Sequence, residues 1–253
     1  MFLSLSIIHG QNSNGSVIDS LFKELEKAKI PIEQGRYGKS IEITSRILQK
    51  AKEINSVRIQ AHCYNILGYA YFESNDSLSF DYLFKAEDAF MQIGETLKLT
   101  TVYNNISANY LEKGNNLEAE KFIRKALEIT SNNEKLIQYR VYPLFNLADL
   151  SVIKGNYEEG IKLLLEILEA CKKYEAINKR SLIGDSYELL SYAYYKLGNK
   201  AQSELYFKKA EAYGEEEKNF NVLYFLYFRR QELFKEDGNY KKAYELLKKC
   251  TII

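Results

Sequence analysis

The sequence predicts an all-α chain of about six helical hairpins stacked as a solenoid, and three observations carry that expectation. A glycine or a polar stand-in recurs five residues before a small residue: Gly35 before Ser40, Ser74 before Ser79, Gly114 before Ala119, Gly155 before Gly160, Gly198 before Ser203 and Gly238 before Ala243. Apolar side chains stand four and seven residues after the small one, as Leu83 and Ala86, Ile123 and Ala126, Leu164 and Ile167, Phe207 and Ala210, Leu247 and Cys250. That spacing is one stripe of a helix. The 253 residues include just 2 Pro, which permits long helices and disfavours a turn-rich β-sandwich.

Each hairpin follows from local chemistry. Glycine ends the first helix in a left-handed cap and a polar residue starts the second. The small residue lets the two helices approach closely. Within the first helix, Leu67-Gly68, Ile106-Ser107, Leu147-Ala148 and Leu190-Ser191 hold equivalent places, with Tyr64, Tyr103, Leu144, Tyr187 and Tyr227 earlier on the same stripe. Tyr71, Tyr110, Tyr194 and Phe234 stand just before the turn. The pattern is weak in the first repeat, where Lys27 and Pro31 fill core positions, and the turn of the second is one residue short. Pro143 places the start of its helix near Tyr142, with Glu134 to Val141 as an added segment.

An aromatic, then Leu-Gly, then Tyr, then Gly-x-Tyr, then Ala, Phe and Ala is the order of a tetratricopeptide repeat, and the chain resembles that family over residues 20 to 253. Tyr stands where the family carries Trp. The small residues are 39, 40, 41, 43 and 40 apart, against a usual unit of about 34. Each unit therefore carries extra residues, in longer helices or in loops between hairpins. Units of this length resemble the sensor arrays of bacterial regulators and of intracellular peptide-pheromone receptors. The resemblance implies a right-handed superhelix and a scaffold or sensor that binds protein or peptide.

Lys plus Arg total 35 against 34 Asp plus Glu, a net charge of +1. That balance argues against direct nucleic-acid binding and against an acidic tail. The basic cluster Lys235, Lys241, Lys242, Lys248 and Lys249 is interleaved with acids and reads as a solvated helix face. Cys63, Cys171 and Cys250 are too dispersed for a disulfide framework. His9 and His62 are the two histidines, and His62-Cys63 has no second ligand pair at metal spacing. No GxSxG, GxGxxG or phosphate-loop motif occurs. The expectation is a non-enzyme with no cofactor and no metal. Residues 1–18 read as a signal-like or disordered segment, with Phe2 to Ile8 resembling an apolar signal core but lacking a basic start. Residues 19–253 form the repeat domain. The compartment stays open between exported and cytoplasmic, and no run of about 18 apolar residues is present to span a membrane. The apolar Cys250 to Ile253 end favours a chain that continues or a homodimer formed through that end.

The family resemblance implies that the first helix of each hairpin lines a concave binding face. It presents His62, Asn65, Tyr69 and Phe72 in the second repeat and Thr101, Asn104, Ala108 and Leu111 in the third. The fourth presents Tyr142, Phe145, Asp149 and Val152, and the fifth Asp185, Glu188, Tyr192 and Tyr195. The sixth presents Phe225, Phe228, Glu232 and Lys235. This set is aromatic and acidic, with Lys235 its one base. A carboxylate clamp needs Lys, Arg and Asn, so Asn104 and Asn105 alone do not make one. The set fits a peptide with apolar anchors and Lys or Arg.

Overall fold

The computed structural model describes residues 3–72, 74–131, 134–174 and 182–252, with the backbone alone at 3–14, 33, 76 and 134. The side chains of the signal-like run and of His9 lie outside the described residues. Among the described residues the regular structure is twelve α-helices and one 3₁₀ turn. They are α1 Leu3–Glu33, α2 Tyr37–Glu53, α3 Val57–Ala70, α4 Asp76–Gln92, α5 Thr96–Glu112 and α6 Asn116–Thr130. After the 3₁₀ turn Glu134–Leu136 come α7 Ile137–Ile153, α8 Tyr157–Lys173, α9 Leu182–Lys196, α10 Lys200–Glu216, α11 Phe220–Glu236 and α12 Tyr240–Ile252. This is the all-α helical-repeat fold that the glycine spacing predicts.

The turn glycines behave as expected. Gly35, Gly114, Gly155, Gly198 and Gly238 all have φ between 68° and 80°, the left-handed region that a Cβ disfavours. A polar residue then starts the next helix: Asn199 and Asn239 after their glycines, and Asn75 after Ser74, accept from the backbone N–H three residues on, at 3.2, 3.3 and 3.1 Å. The connections between hairpins use the same device. Asn55, Gly94 and Lys218 each take a positive φ after α2, α4 and α10. Those three connections are short, so in their repeats the extra residues lengthen the helices. Seven of the helices run 17 residues, about 25 Å each.

In four of the repeats the small residue sits against the carbonyl of the residue 11 or 12 earlier. Ser40 Oγ donates to Ala28 O at 2.8 Å, Ser79 Oγ to Gly68 O at 2.7 Å and Ser203 Oγ to Ser191 O at 2.7 Å. At Gly160 a Cβ would lie 3.2 Å from Ala148 O and 2.7 Å from Val152 Cγ2. The aromatic before the turn stacks on the ring three residues after the small one. Tyr71 meets Tyr82, Tyr110 meets Phe122 and Tyr194 meets Tyr206, at 5.8, 5.8 and 5.6 Å and within 20° of parallel. Such pairs add about 0.5–1.5 kcal/mol beyond the area they bury. The family's aromatic positions therefore clamp the hairpin.

The chain divides into two compact units, Met1–Ile129 and Thr130–Ile253. In the first, Leu25, Ile47, Ile59 and Leu67 form one core cluster and Leu83, Phe90, Val102 and Ile106 another. In the second, Leu164, Leu189, Leu190 and Ala193 pack together, as do Phe207, Val222, Leu226 and Tyr227. Each such aliphatic side chain contributes about 1.5–3 kcal/mol of burial. The predicted stripe is buried in the second to fifth repeats, while Leu247 of α12 is exposed, with no later helix against it among the described residues. In the second unit α9 contacts both α7 and α11, and α8, α10 and α12 pack on these first helices.

Pro143 corrects one expectation. Its helix, α7, starts at Ile137 and runs through the proline. The proline has no N–H to give the carbonyl of Tyr139. Val141, two residues earlier, is fully buried, so packing holds that turn helical despite the missing bond.

Candidate functional site

The first helices of the second unit bring three carboxylates onto one guanidinium. Asp149 comes from α7, Asp185 and Glu188 from α9 and Arg229 from α11. Arg229 Nη1 lies 3.5 Å from Glu188 Oε2 and its Nη2 lies 3.9 Å from Asp149 Oδ1. Its guanidinium also sits 5.8 Å from the Tyr192 ring centroid. Burial pushes the Asp185 carboxyl up to about 7, helped by Glu188 and Asp149 and opposed by Arg229. Burial also raises Glu188, again against the pull of Arg229. The guanidinium itself is held charged, chiefly by Glu188. Arg229 thus lies among three acids, and burial favours the protonated forms of Asp185 and Glu188. The space beside it, lined by Glu188, Tyr192 and Arg229 among others, is about 10 Å³, room for a single water.

The aromatic members divide by exposure. Phe225 and Phe228 on α11 are 50% and 42% exposed; Phe225 stands one helical turn before Arg229 and Phe228 is its neighbour in the chain. Phe228 stacks on Tyr224 at 5.9 Å and 10°. Tyr192 and Phe145 are half-buried against the core, and Val152 is buried. Tyr142 is half-buried on α7. Tyr195 donates its hydroxyl hydrogen to Asp237, away from the cluster. Glu232 pairs with Lys235 at 3.0 Å on the exposed side of α11.

The predicted residues of the first unit form a different arrangement. Asn65 accepts from Asn105 Nδ2 at 3.1 Å, which ties α3 to α5. Asn105 O accepts from Asn109 Nδ2 at 3.0 Å, and Asn109 Oδ1 accepts from Ser79 Oγ at 3.2 Å. Asn104 is half-buried beside this chain of amides, Thr101 is exposed, Ala108 is half-buried and Leu111 belongs to the core. His62 is edge-on to Phe22 and Phe90, at 5.4 and 5.1 Å. Burial and then Lys98 lower its pKa to about 4, against the pull of Glu95, so it is neutral at pH 7. Tyr69 is exposed, and Phe72 lies in the turn after α3.

Sequence reading missed Arg229 and took Lys235 as the one base of this face. The signal was present: residue 229 stands four after Phe225 and three before Glu232, on the same helical stripe. Among the described residues, no group of three His, Cys, Asp or Glu side chains is placed to hold a metal ion. No helix among them is long and apolar enough to cross a membrane.

Comparison with known proteins fits this geometry. The model of the tetratricopeptide repeat matches residues 100–133 and 184–213, the α5–α6 and α9–α10 hairpins. None of the curated proteins matches the chain. Among solved structures, the apo form of RapI superposes with a TM-score of 0.68 at 14% identity, covering 92% of this chain and 96% of that one. A Rap protein complexed with Competence and Sporulation Factor superposes with a TM-score of 0.70 at 20% identity, covering 91% of this chain and 64% of that one. A STAND protein with a tetratricopeptide repeat sensor, from Pyrococcus horikoshii, has a TM-score of 0.61 at 23% identity, over 91% of this chain and 38% of that one. The chain thus spans less than two thirds of the last two. At these identities the likeness is one of fold.

Proposed function

We propose, from the premise that the chain is a tetratricopeptide repeat protein, that it is a non-enzymatic module that captures a basic, apolar-anchored peptide or protein segment. The scaffold or sensor role follows from that capture. The observation that carries the reading is the cluster of Asp149, Asp185 and Glu188 around Arg229, next to exposed Phe225 and Phe228. A Lys or Arg of the partner is drawn to these carboxylates, and an apolar side chain rests on the rings. The fold neighbours described as a Rap protein complexed with Competence and Sporulation Factor and as a protein with a tetratricopeptide repeat sensor support a sensing role.

Synthetic peptides that carry Arg or Lys beside Leu or Phe are the probe, with Glu-substituted peptides as controls. The basic peptides raise the melting temperature of the wild type. The double variant Tyr192→Ala, Phe228→Ala loses that rise. Binding of a cation also expels the proton that Asp185 holds part of the time at pH 7, so the heat of binding depends on the ionisation enthalpy of the buffer. Equal binding by wild type and double variant overturns the assignment.

A second reading rests on α12, where Tyr240, Tyr244, Leu247 and Ile252 are exposed. It is self-association through that helix as a free-standing structural or adaptor protein. A light-scattering mass that rises with concentration supports it.

A further inference from the structure

A second recess lies in the same unit, apart from the carboxylate cluster. It has a volume of about 460 Å³, within the range of small-molecule sites. It opens where the α9–α10 turn meets the α11–α12 turn, so the repeat itself creates it. Its deepest group is Arg230, which is 6% exposed. Arg230 Nη1 donates to Ser203 Oγ at 2.8 Å and Nη2 to Ser203 O at 3.3 Å. The walls include the Tyr195 and Phe234 rings, 5.1 and 5.8 Å from that guanidinium.

The charges on the rim are uneven. Both acids of the recess are engaged: Asp237 accepts from the Tyr195 hydroxyl, and Glu204 lies 3.6 Å from Arg230 and 3.9 Å from Lys208. Both lysines of the recess are without a carboxylate. The Lys200 ammonium has no partner among the described residues, and the Lys242 ammonium rests over the Phe234 ring at 5.4 Å. Other members of the basic C-terminal cluster differ, since Lys235 pairs with Glu232 at 3.0 Å and Lys249 with Glu211 at 2.8 Å. The unspent charge of the recess is therefore cationic, over an aromatic wall, around a buried guanidinium.

We infer that this recess binds a small organic anion, with its phosphate or carboxylate between Lys200 and Lys242 and its flat apolar part against Phe234 and Tyr195. Charge-assisted hydrogen bonds from two ammonium groups supply the affinity. The ring wall favours an aryl anion over an inorganic one.

The test is calorimetric titration of the full chain at low salt with phenyl phosphate, inorganic phosphate and benzylammonium. Phenyl phosphate binds saturably, at one site, and more tightly than inorganic phosphate. The exposed double variant Lys200→Gln, Lys242→Gln keeps the wild-type circular dichroism and melting temperature and binds phenyl phosphate roughly tenfold more weakly. Tyr192→Ala, Phe228→Ala leaves this binding unchanged, which separates the recess from the peptide face. No saturable binding, binding that survives both lysine replacements, or equal binding of benzylammonium overturns the inference.

Discussion

The hydroxyl of Ser203 shows how much one side chain of this repeat carries. It donates to Ser191 O across the hairpin and accepts from the buried Arg230 guanidinium. Ser40 makes the first of these contacts, to Ala28 O. Ser40→Ala therefore costs about 0.5–1.5 kcal/mol, the net value of one hydrogen bond. Ser203→Ala costs more, about 1–3 kcal/mol, because it leaves a buried charged donor short of a partner. Urea unfolding of the two variants measures the difference, and equal losses would show that Arg230 finds another acceptor. The small residue at this position was legible in the sequence. Its use as an acceptor for Arg230 was not, because the two residues are 27 positions apart and meet through the packing of α10 on α11.

At the scale of the element, glycine has two opposite uses in these helices. Gly160 of α8 faces Val152 and Ala148 of α7, at distances that leave no room for a Cβ. Gly38 of α2 has nothing within 4 Å of that position. Gly160→Ala thus overpacks the hairpin and costs about 1–3 kcal/mol. Gly38→Ala gains up to about 1 kcal/mol through the lower entropy of the unfolded chain. Opposite shifts of the two melting temperatures are expected, and a gain at both positions would mean that α7 and α8 can separate at little cost. The hairpin was readable because its signals are local: a left-handed cap, a polar start and a stripe at helical spacing. The start of α7 was not, since tertiary burial of Val141 decides it against the local preference of Pro143.

At the scale of the whole molecule, the two units answer pH in opposite directions. In the first, the folded pKa of His62 is depressed to about 4. Its neutral form contributes stability above pH 6.5 or so, which is lost as the pH falls toward 4. In the second, the folded pKa of Asp185 is raised to about 7. Its protonated form contributes stability below the unfolded value near 3.9, which is lost as the pH rises through 7. Glu188 acts in the same sense. Glu42 and Glu211, whose pKa values are lowered, respond below the window between pH 5 and 7. Going from pH 7 to pH 5 destabilises residues 57–112 and stabilises residues 182–236, each by on the order of 1–2 kcal/mol. Hydrogen exchange of each segment, corrected for intrinsic rates, reads this directly. Asp185→Asn weakens the response of the second unit alone and leaves the part that Glu188 supplies. A common shift in both segments would rule out the assignment of these two groups.

By itself the sequence determined the helical hairpin, its long period, the glycine caps, the buried stripe and the tetratricopeptide pattern. All of these follow from interactions within some 40 residues, where periodicity and turn chemistry are direct readouts of backbone geometry. It also placed acids and aromatics on the first helices. Tertiary structure decided which of them meet. Arg229 reaches Asp149 and Glu188 from 80 and 41 residues away, and Lys200 and Lys242 line one recess. Such pairings depend on how successive helices pack against one another. No local pattern encodes that packing, because it is the sum of many side-chain contacts.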